Sequence, residues 1–327
     1  EGAVSHLGQP CRLIDAAPMS SVPLDCCLLA LLLSFFTPMD TVPWTHASIH
    51  TNGVQLHYVT QGEGPLLLFL HGFPEFWYSW RKQIPEFARD HKVVALDLRG
   101  YNESDKPADP GAYVMAEFVR DIQGVITGLG YEKCVLVGHD WGGAIAWNFA
   151  YQHPDLLEKL VILNLPHPAR FAQGLLMPQQ LLRSSYIFFF QIPVLPELLI
   201  QLGDYQLLEK FFTGIAGNSQ AFSPEDIEAY KNAAARPGAL TAALNYYRNV
   251  LHQGMTERSW GLLEVPTLMI WAEQDWFLGK ELTCGTEQYV RDLRIQYIPD
   301  CSHWVQQERP ELVNQYIREF LGGAKKL

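Results

Sequence analysis

The sequence lacks a concentrated basic face. It has 24 Lys and Arg against 35 Asp and Glu, a formal net charge of −11, and no basic run longer than two residues, such as Lys325-Lys326. Phosphate backbones are held by clustered cations, so nucleic acid is excluded as an expected partner. An acidic surface mainly favours solubility. Cysteine is also scarce. Cys11, Cys26, Cys27, Cys134, Cys284 and Cys301 are irregularly spaced, with no CxxC and no Cys/His pattern. That excludes a zinc-ligand signature and argues against a disulfide scaffold. A reduced, cytoplasmic setting is expected, and neither metal nor organic cofactor is. Long hydrophobic runs are missing too. Cys26 to Phe36 (CCLLALLLSFF) is 11 residues long, where a membrane span needs about 20. The run from Tyr186 to Ile200 is broken by Pro193 and Pro196. Membrane association is therefore not expected. Residues 1–25 carry only Arg12 against Glu1, Asp15 and Asp25, unlike the basic start of a signal peptide. Residues 1–45 are expected to be a non-native or disordered N-terminal segment. Within it, residues 1–38 read as translated upstream sequence and Met39 as the natural start. A short interfacial anchor is the rival reading.

What is present is enough apolar material for a large core: 48% hydrophobic and 12% aromatic residues. From residue 46 the pattern is regular. His46–Thr51 and Val54–Thr60 flank Asn52-Gly53, the signature of a hairpin with a primed two-residue turn. Leu66–Leu70, Val93–Leu98, Val135–Gly138, Leu160–Leu165, Thr267–Ala272 and Ile295–Pro299 are short runs, apolar on both faces. Such runs suit buried parallel strands. Helical patterns at Tyr113–Leu129, Gly142–His153 and Pro310–Leu321 alternate with them. The alternation predicts an α/β fold, a mostly parallel sheet with helices on both faces. Between Leu165 and Thr267 there is no good strand run, only helical stretches rich in Leu, Phe, Tyr and Pro. The expected organisation is a core of residues 46–166 and 263–327, with residues 167–262 inserted as a helical cap. The cap would cover the carboxyl edge of the sheet, where open α/β sheets place ligands.

The strongest local signal is Gly138-His139-Asp140-Trp141-Gly142-Gly143, after a strand and before a helix. It reads as a nucleophile elbow with Asp in the serine position. The small residues relieve crowding at a strained turn, and the helix N-terminus favours a carboxylate there. Asp140 alone could instead be an ordinary helix cap. Asp275 follows Thr267–Ala272, and His303 follows Ile295–Pro299. Nucleophile, acid, base is the chain order of an α/β-hydrolase triad. Glu273 and Asp300 are rival acids. Asp275 is better placed beyond its strand, whereas Asp300 reads as a turn residue. His71-Gly72-Phe73-Pro74 follows Leu66–Leu70. Its Phe73 N–H, with that of Trp141, should form an oxyanion hole. Pro74 is a candidate cis-proline. His139 and His167 read as structural.

Residues 46–327 resemble the α/β-hydrolase-fold epoxide hydrolases. The resemblance rests on HGFPEFWYSWR (His71–Arg81), DLRGY (Asp97–Tyr101), GHDWGG (Gly138–Gly143), SSYIFFFQ (Ser184–Gln191), NYYRN (Asn245–Asn249) and SHW (Ser302–Trp304). It implies that two cap tyrosines, Tyr186 and Tyr247, point at the nucleophile, and that Tyr246 faces elsewhere. It implies an epoxide and water as substrates, a hydrophobic one given the apolar cap. Phe188, Phe189 and Trp77 are candidates for the substrate pocket, with core packing the alternative. Ala272, Asn102 and Cys301 depart from the family's usual residues and bear on loop geometry. The close alternative is a haloalkane or haloacid dehalogenase with the same Asp nucleophile. That chemistry commonly cradles halide with Trp after the nucleophile and Asn after His-Gly; here Trp141 is present but Phe73 replaces the Asn. A non-catalytic ligand receptor is disfavoured by the complete Asp140, Asp275 and His303 set.

Overall fold

A computed structural model of the protein describes residues 44–252 and 260–322. The expectations for residues 1–38 and Met39 lie outside the described residues. Eight strands form one sheet: β1 (Thr45–Thr51), β2 (Val54–Gln61), β3 (Leu66–Leu70), β4 (Lys92–Leu96), β5 (Cys134–His139), β6 (Leu157–Leu163), β7 (Thr267–Ala272) and β8 (Leu293–Ile298). Their order is β1-β2-β4-β3-β5-β6-β7-β8. The β1–β2 and β2–β4 pairings are antiparallel, and the rest are parallel.

The β1–β2 hairpin follows directly from its turn. Asn52 and Gly53 both have positive φ, at 48° and 73°, as a primed turn requires. The turn sets Thr51 opposite Val54 and fixes the register. The Asn52 side chain then donates to Asp121, whose carboxylate is also held by Arg99. Every residue of β3, β5 and β7 is buried. Full burial on both faces is why these strands read as unbroken apolar runs rather than alternating ones. Burying each Leu, Val or Ile contributes about 1.5–3 kcal/mol.

Two expected strand ends are corrected. β4 stops at Leu96: Asp97 gives its carboxylate to His57, Trp77 and Asn102, and the next N–H, that of Leu98, donates to the His71 side chain rather than to a strand. β6 runs from Leu157 to Leu163 and ends where Asn164 takes a φ of 42°.

Between β6 and β7 the described residues hold helices and no strand. They include Pro168–Gly174, Tyr186–Phe189, Leu195–Thr213, Pro224–Ala235 and Ala239–His252. Leu195–Thr213 is interrupted at Leu202–Tyr205, where Gly203, Asp204 and Tyr205 adopt positive φ. Among the described residues no helix is long and apolar enough to cross a membrane.

The strand order reverses around β3, whose neighbours are β4 and β5. Such a switch point opens a crevice at the carboxyl ends of the strands. The loops after β3 and β5 meet there.

Candidate active site

Asp140 follows β5 and caps the helix Trp141–Gln152 with φ 49° and ψ −120°. A non-glycine residue held in such a conformation stores strain, of order 1–3 kcal/mol. The strain aims the carboxylate out of the sheet into the crevice. Two glycines permit the arrangement. A Cβ on Gly72 would lie 2.4 Å from the Asp140 Cβ, and one on Gly142 would lie 2.2 Å from the Leu70 carbonyl oxygen. Gly72 therefore lets the loop after β3 approach Asp140. From that loop the Phe73 N–H donates to Asp140 Oδ1 at 2.8 Å. The Trp141 N–H, expected beside it, makes no hydrogen bond to the carboxylate among the described residues. The Phe73–Pro74 peptide is cis.

On the other side of Asp140, His303 Nε2 lies 3.6 Å from Oδ2. Its Nδ1 lies 2.6 Å from Asp275 Oδ2. Asp275 accepts two further bonds, from the N–H groups of Phe277 and Leu278, at Oδ1. The rival acids stand elsewhere: Glu273 pairs with Lys280, and Asp300 is exposed and offers its carbonyl to Arg309.

Residues that the sequence reading did not assign to the site complete it. Asn164, buried after β6, donates through Nδ2 to Asp275 Oδ2 at 2.7 Å and accepts from the Ala272 N–H at 2.9 Å. It holds the acid against the end of β7. Its one legible signal is an Asn directly after an apolar strand, a residue type that tolerates positive φ. Glu75 is also buried. It accepts from the Gly72 N–H and from Gln306 and Gln307, and it meets His139 Nδ1 at 2.8 Å. His139 Nε2 in turn faces the His303 carbonyl at 2.8 Å. Both His139 nitrogens thus face oxygen acceptors, and the ring ties the His303 backbone to the loop after β3.

The electrostatics follow from this packing. Burial acts against the charged form of His303, but Asp275 and Asp140 outweigh it and push its pKa up to about 10. Burial likewise pushes Asp140 up, while His303, His139 and the Phe73 N–H more than reverse this and leave it below its ordinary value. The resting pair is an imidazolium between two carboxylates. A histidine raised in the folded state contributes stability that is complete below the unfolded pKa of about 6.5. That contribution is lost as pH rises through about 10. The melting temperature should therefore fall between pH 7 and 10, with a flatter profile in His303→Gln. Scanning calorimetry of both proteins measures this; equal slopes would contradict the ion pair.

Tyr186 and Tyr247 stand above Asp140 with ring centroids 5.8 Å apart. Burial, and then the Asp140 charge, raise both phenols, so both hydroxyls stay protonated donors at neutral pH. Tyr246 points away and donates to the Arg99 carbonyl.

Asp140, Tyr186 and Tyr247 line a cavity of about 360 Å³ together with apolar residues such as Leu165, Phe171, Ile187 and Leu278. The pocket residues expected from sequence are corrected here. Phe188 is 52% exposed, because the single helical turn Tyr186–Phe189 points it away from the cavity. Phe189 packs on Phe190. Trp77 is buried against Trp44 and Phe76 and is not among the residues that line the cavity. Of the departures from the usual pattern, Asn102 adopts a φ of 41° and bonds Asp97, and Cys301 is fully buried.

Residues 65–310 match the family profile described as alpha/beta hydrolase fold. Epoxide hydrolase 4 of Mus musculus is 43% identical over 84% of this chain and 79% of its own length. Epoxide hydrolase 3 of Xenopus tropicalis is 45% identical over 83% and 75%. A Bacillus megaterium epoxide hydrolase, solved with an inhibitor, superposes with a TM-score of 0.80 at 37% identity, over 85% of this chain and all (100%) of that one. The chain belongs to the α/β-hydrolase-fold epoxide hydrolase family.

Proposed function

We propose that the protein hydrolyses a hydrophobic epoxide to a vicinal diol through an ester on Asp140. The observation that carries this reading is the joint lining of one apolar cavity by Asp140, Tyr186 and Tyr247, with His303 behind the carboxylate. Residues 46–166 and 263–327 act as the catalytic core and residues 167–262 as the cap.

The tyrosines bind the ring oxygen and supply a proton as the C–O bond breaks, a contribution of roughly 10²–10⁴ in rate. Asp140 attacks the ring carbon from the opposite side and forms an alkyl ester. The proton given to the alkoxide is replaced from the His303 imidazolium through the tyrosines. Once Asp140 is esterified its negative charge is gone, and one of the causes that raise His303 goes with it. Neutral His303 then takes a proton from water, which attacks the Asp140 ester carbonyl. Asp275, held by Asn164, stabilises the imidazolium that forms. The N–H of Phe73, with that of Trp141, stabilises the tetrahedral oxyanion, at about 3–4 kcal/mol per donor. Hydrolysis restores Asp140, protonated His303 and free diol. An Asp nucleophile suits this reaction because the electrophile is a saturated carbon, and the enzyme then carries the carbonyl that water must attack.

The dehalogenase alternative is not favoured. Phe73 has no side-chain donor for halide, and two protonated phenols suit an oxygen leaving group. Among the described residues Cys134, Cys284 and Cys301 form no disulfide; the cytoplasmic setting is proposed from the few, irregularly spaced cysteines of the sequence. Incubation with styrene oxide should yield phenylethanediol, and a bromoalkane should yield no bromide. Bromide release without diol formation would overturn the assignment.

A further inference from the structure

The reacting groups divide two cavities of very different size. Asp140, Tyr186 and Tyr247 line both the cavity of about 360 Å³ and a second one of about 20 Å³. The first falls in the range of about 300–1,000 Å³ that holds drug-sized ligands. Among the described residues, Asp140 is the only charged one in its lining. The second contains His303 and is walled by Phe190, Phe211 and Phe277. A space needs about 10–15 Å³ to seat a water, so this cavity is sized for one. It also offers that water two polar partners, because His303 Nε2 and Asp140 Oδ2 are 3.6 Å apart, a separation that invites a bridging molecule.

An epoxide held by its oxygen under the two tyrosines must direct one ring carbon toward each cavity. We infer that this enzyme is built for terminal epoxides, in which one ring carbon bears a single bulky, uncharged, apolar substituent and the other is a bare CH₂. The inference rests on the epoxide hydrolase reading and specifies its substrate class. The substituent fills the large cavity. The CH₂ faces the small one, where anything larger than hydrogen would displace the water that must later attack the ester. A second substituent therefore acts twice, against binding and against hydrolysis.

Phe211 is the specificity-determining wall of the small side. It sits on Leu195–Thr213, half-buried, with its ring 6.4 Å from that of Phe277. The Trp304 indole N–H donates to its backbone carbonyl at 3.0 Å. That anchor does not involve the ring, so truncating the side chain opens the cavity outward while leaving the bond in place.

The test compares kcat/KM for styrene oxide with that for trans-stilbene oxide, which carries a second phenyl on the other carbon. In the wild type styrene oxide should be favoured by about 100-fold or more, as a pocket discriminates against a group that it cannot hold. In Phe211→Ala the ratio should narrow at least about tenfold, through a gain in absolute turnover of trans-stilbene oxide. A wild-type ratio below ten would overturn the inference while leaving the enzyme an epoxide hydrolase. An unchanged ratio in a Phe211→Ala protein that melts near the wild-type temperature would overturn the role of Phe211. Turnover of neither epoxide would instead refute the underlying reading, and the wild-type comparison stands even if the variant fails to fold.

Discussion

Asp140→Ala should abolish diol formation from styrene oxide, with a loss of roughly 10⁴- to 10⁶-fold in kcat, the scale seen when a covalent nucleophile is removed. The size of the effect follows from the geometry. Among the described residues Asp140 is the only carboxylate lining the large cavity, and Asp275 is held behind His303 by four hydrogen bonds, from Asn164, His303, Phe277 and Leu278. Among the described residues no second group is placed to take over the attack. Asp140→Asn is the cleaner companion, because Asn also tolerates the positive φ at this position. It keeps the shape of the site and removes the charge. Both variants should fold, since Asp140 is an element of strain rather than of the core. Initial rates with product chromatography measure the effect. A loss of less than about tenfold in both variants would remove Asp140 from the chemistry and point to direct attack by water.

Much of this site is legible in the sequence. Asp140, Asp275 and His303 each stand just past a short apolar run, and a parallel sheet gathers such positions at one edge whatever the loop lengths between them. Gly72 and Gly142 mark backbone that passes within contact distance of the nucleophile. The Asn52-Gly53 turn set the register of the first hairpin. Other features depend on tertiary placement. Asn164 matters only because β6 and β7 are neighbours, which sets it beside an acid far along the chain. Glu75 looks like one more polar residue in a loop until His139, Gln306 and Gln307 are seen around it. The directions of Phe188 and Phe189 are hidden in the sequence for a related reason. Successive residues of a helical turn point about 100° apart, and a four-residue turn shows no periodicity from which to read which side faces the cavity. Tyr186 and Ile187 take that side. The end of β4 is obscured in the sequence because an apolar residue, Leu98, follows Asp97 in a loop that is itself buried.

The two-step scheme makes a second large prediction. In His303→Gln the first step retains its nucleophile and both tyrosine donors and loses only the imidazolium that reprotonates them, while the second loses its base. Removal of a general base slows a step by roughly 10²–10⁴-fold, so hydrolysis becomes the slower step and the ester accumulates. Gln leaves Asp275 with its Asn164, Phe277 and Leu278 bonds, and the buried acid is not stranded. The direct measurement is intact mass of His303→Gln after brief mixing with styrene oxide, followed by peptide mapping. The predicted result is one added substrate mass, located on the peptide that contains Asp140, with little diol released. Consumption of epoxide without any adduct, or an adduct placed elsewhere in the chain, would contradict esterification of Asp140.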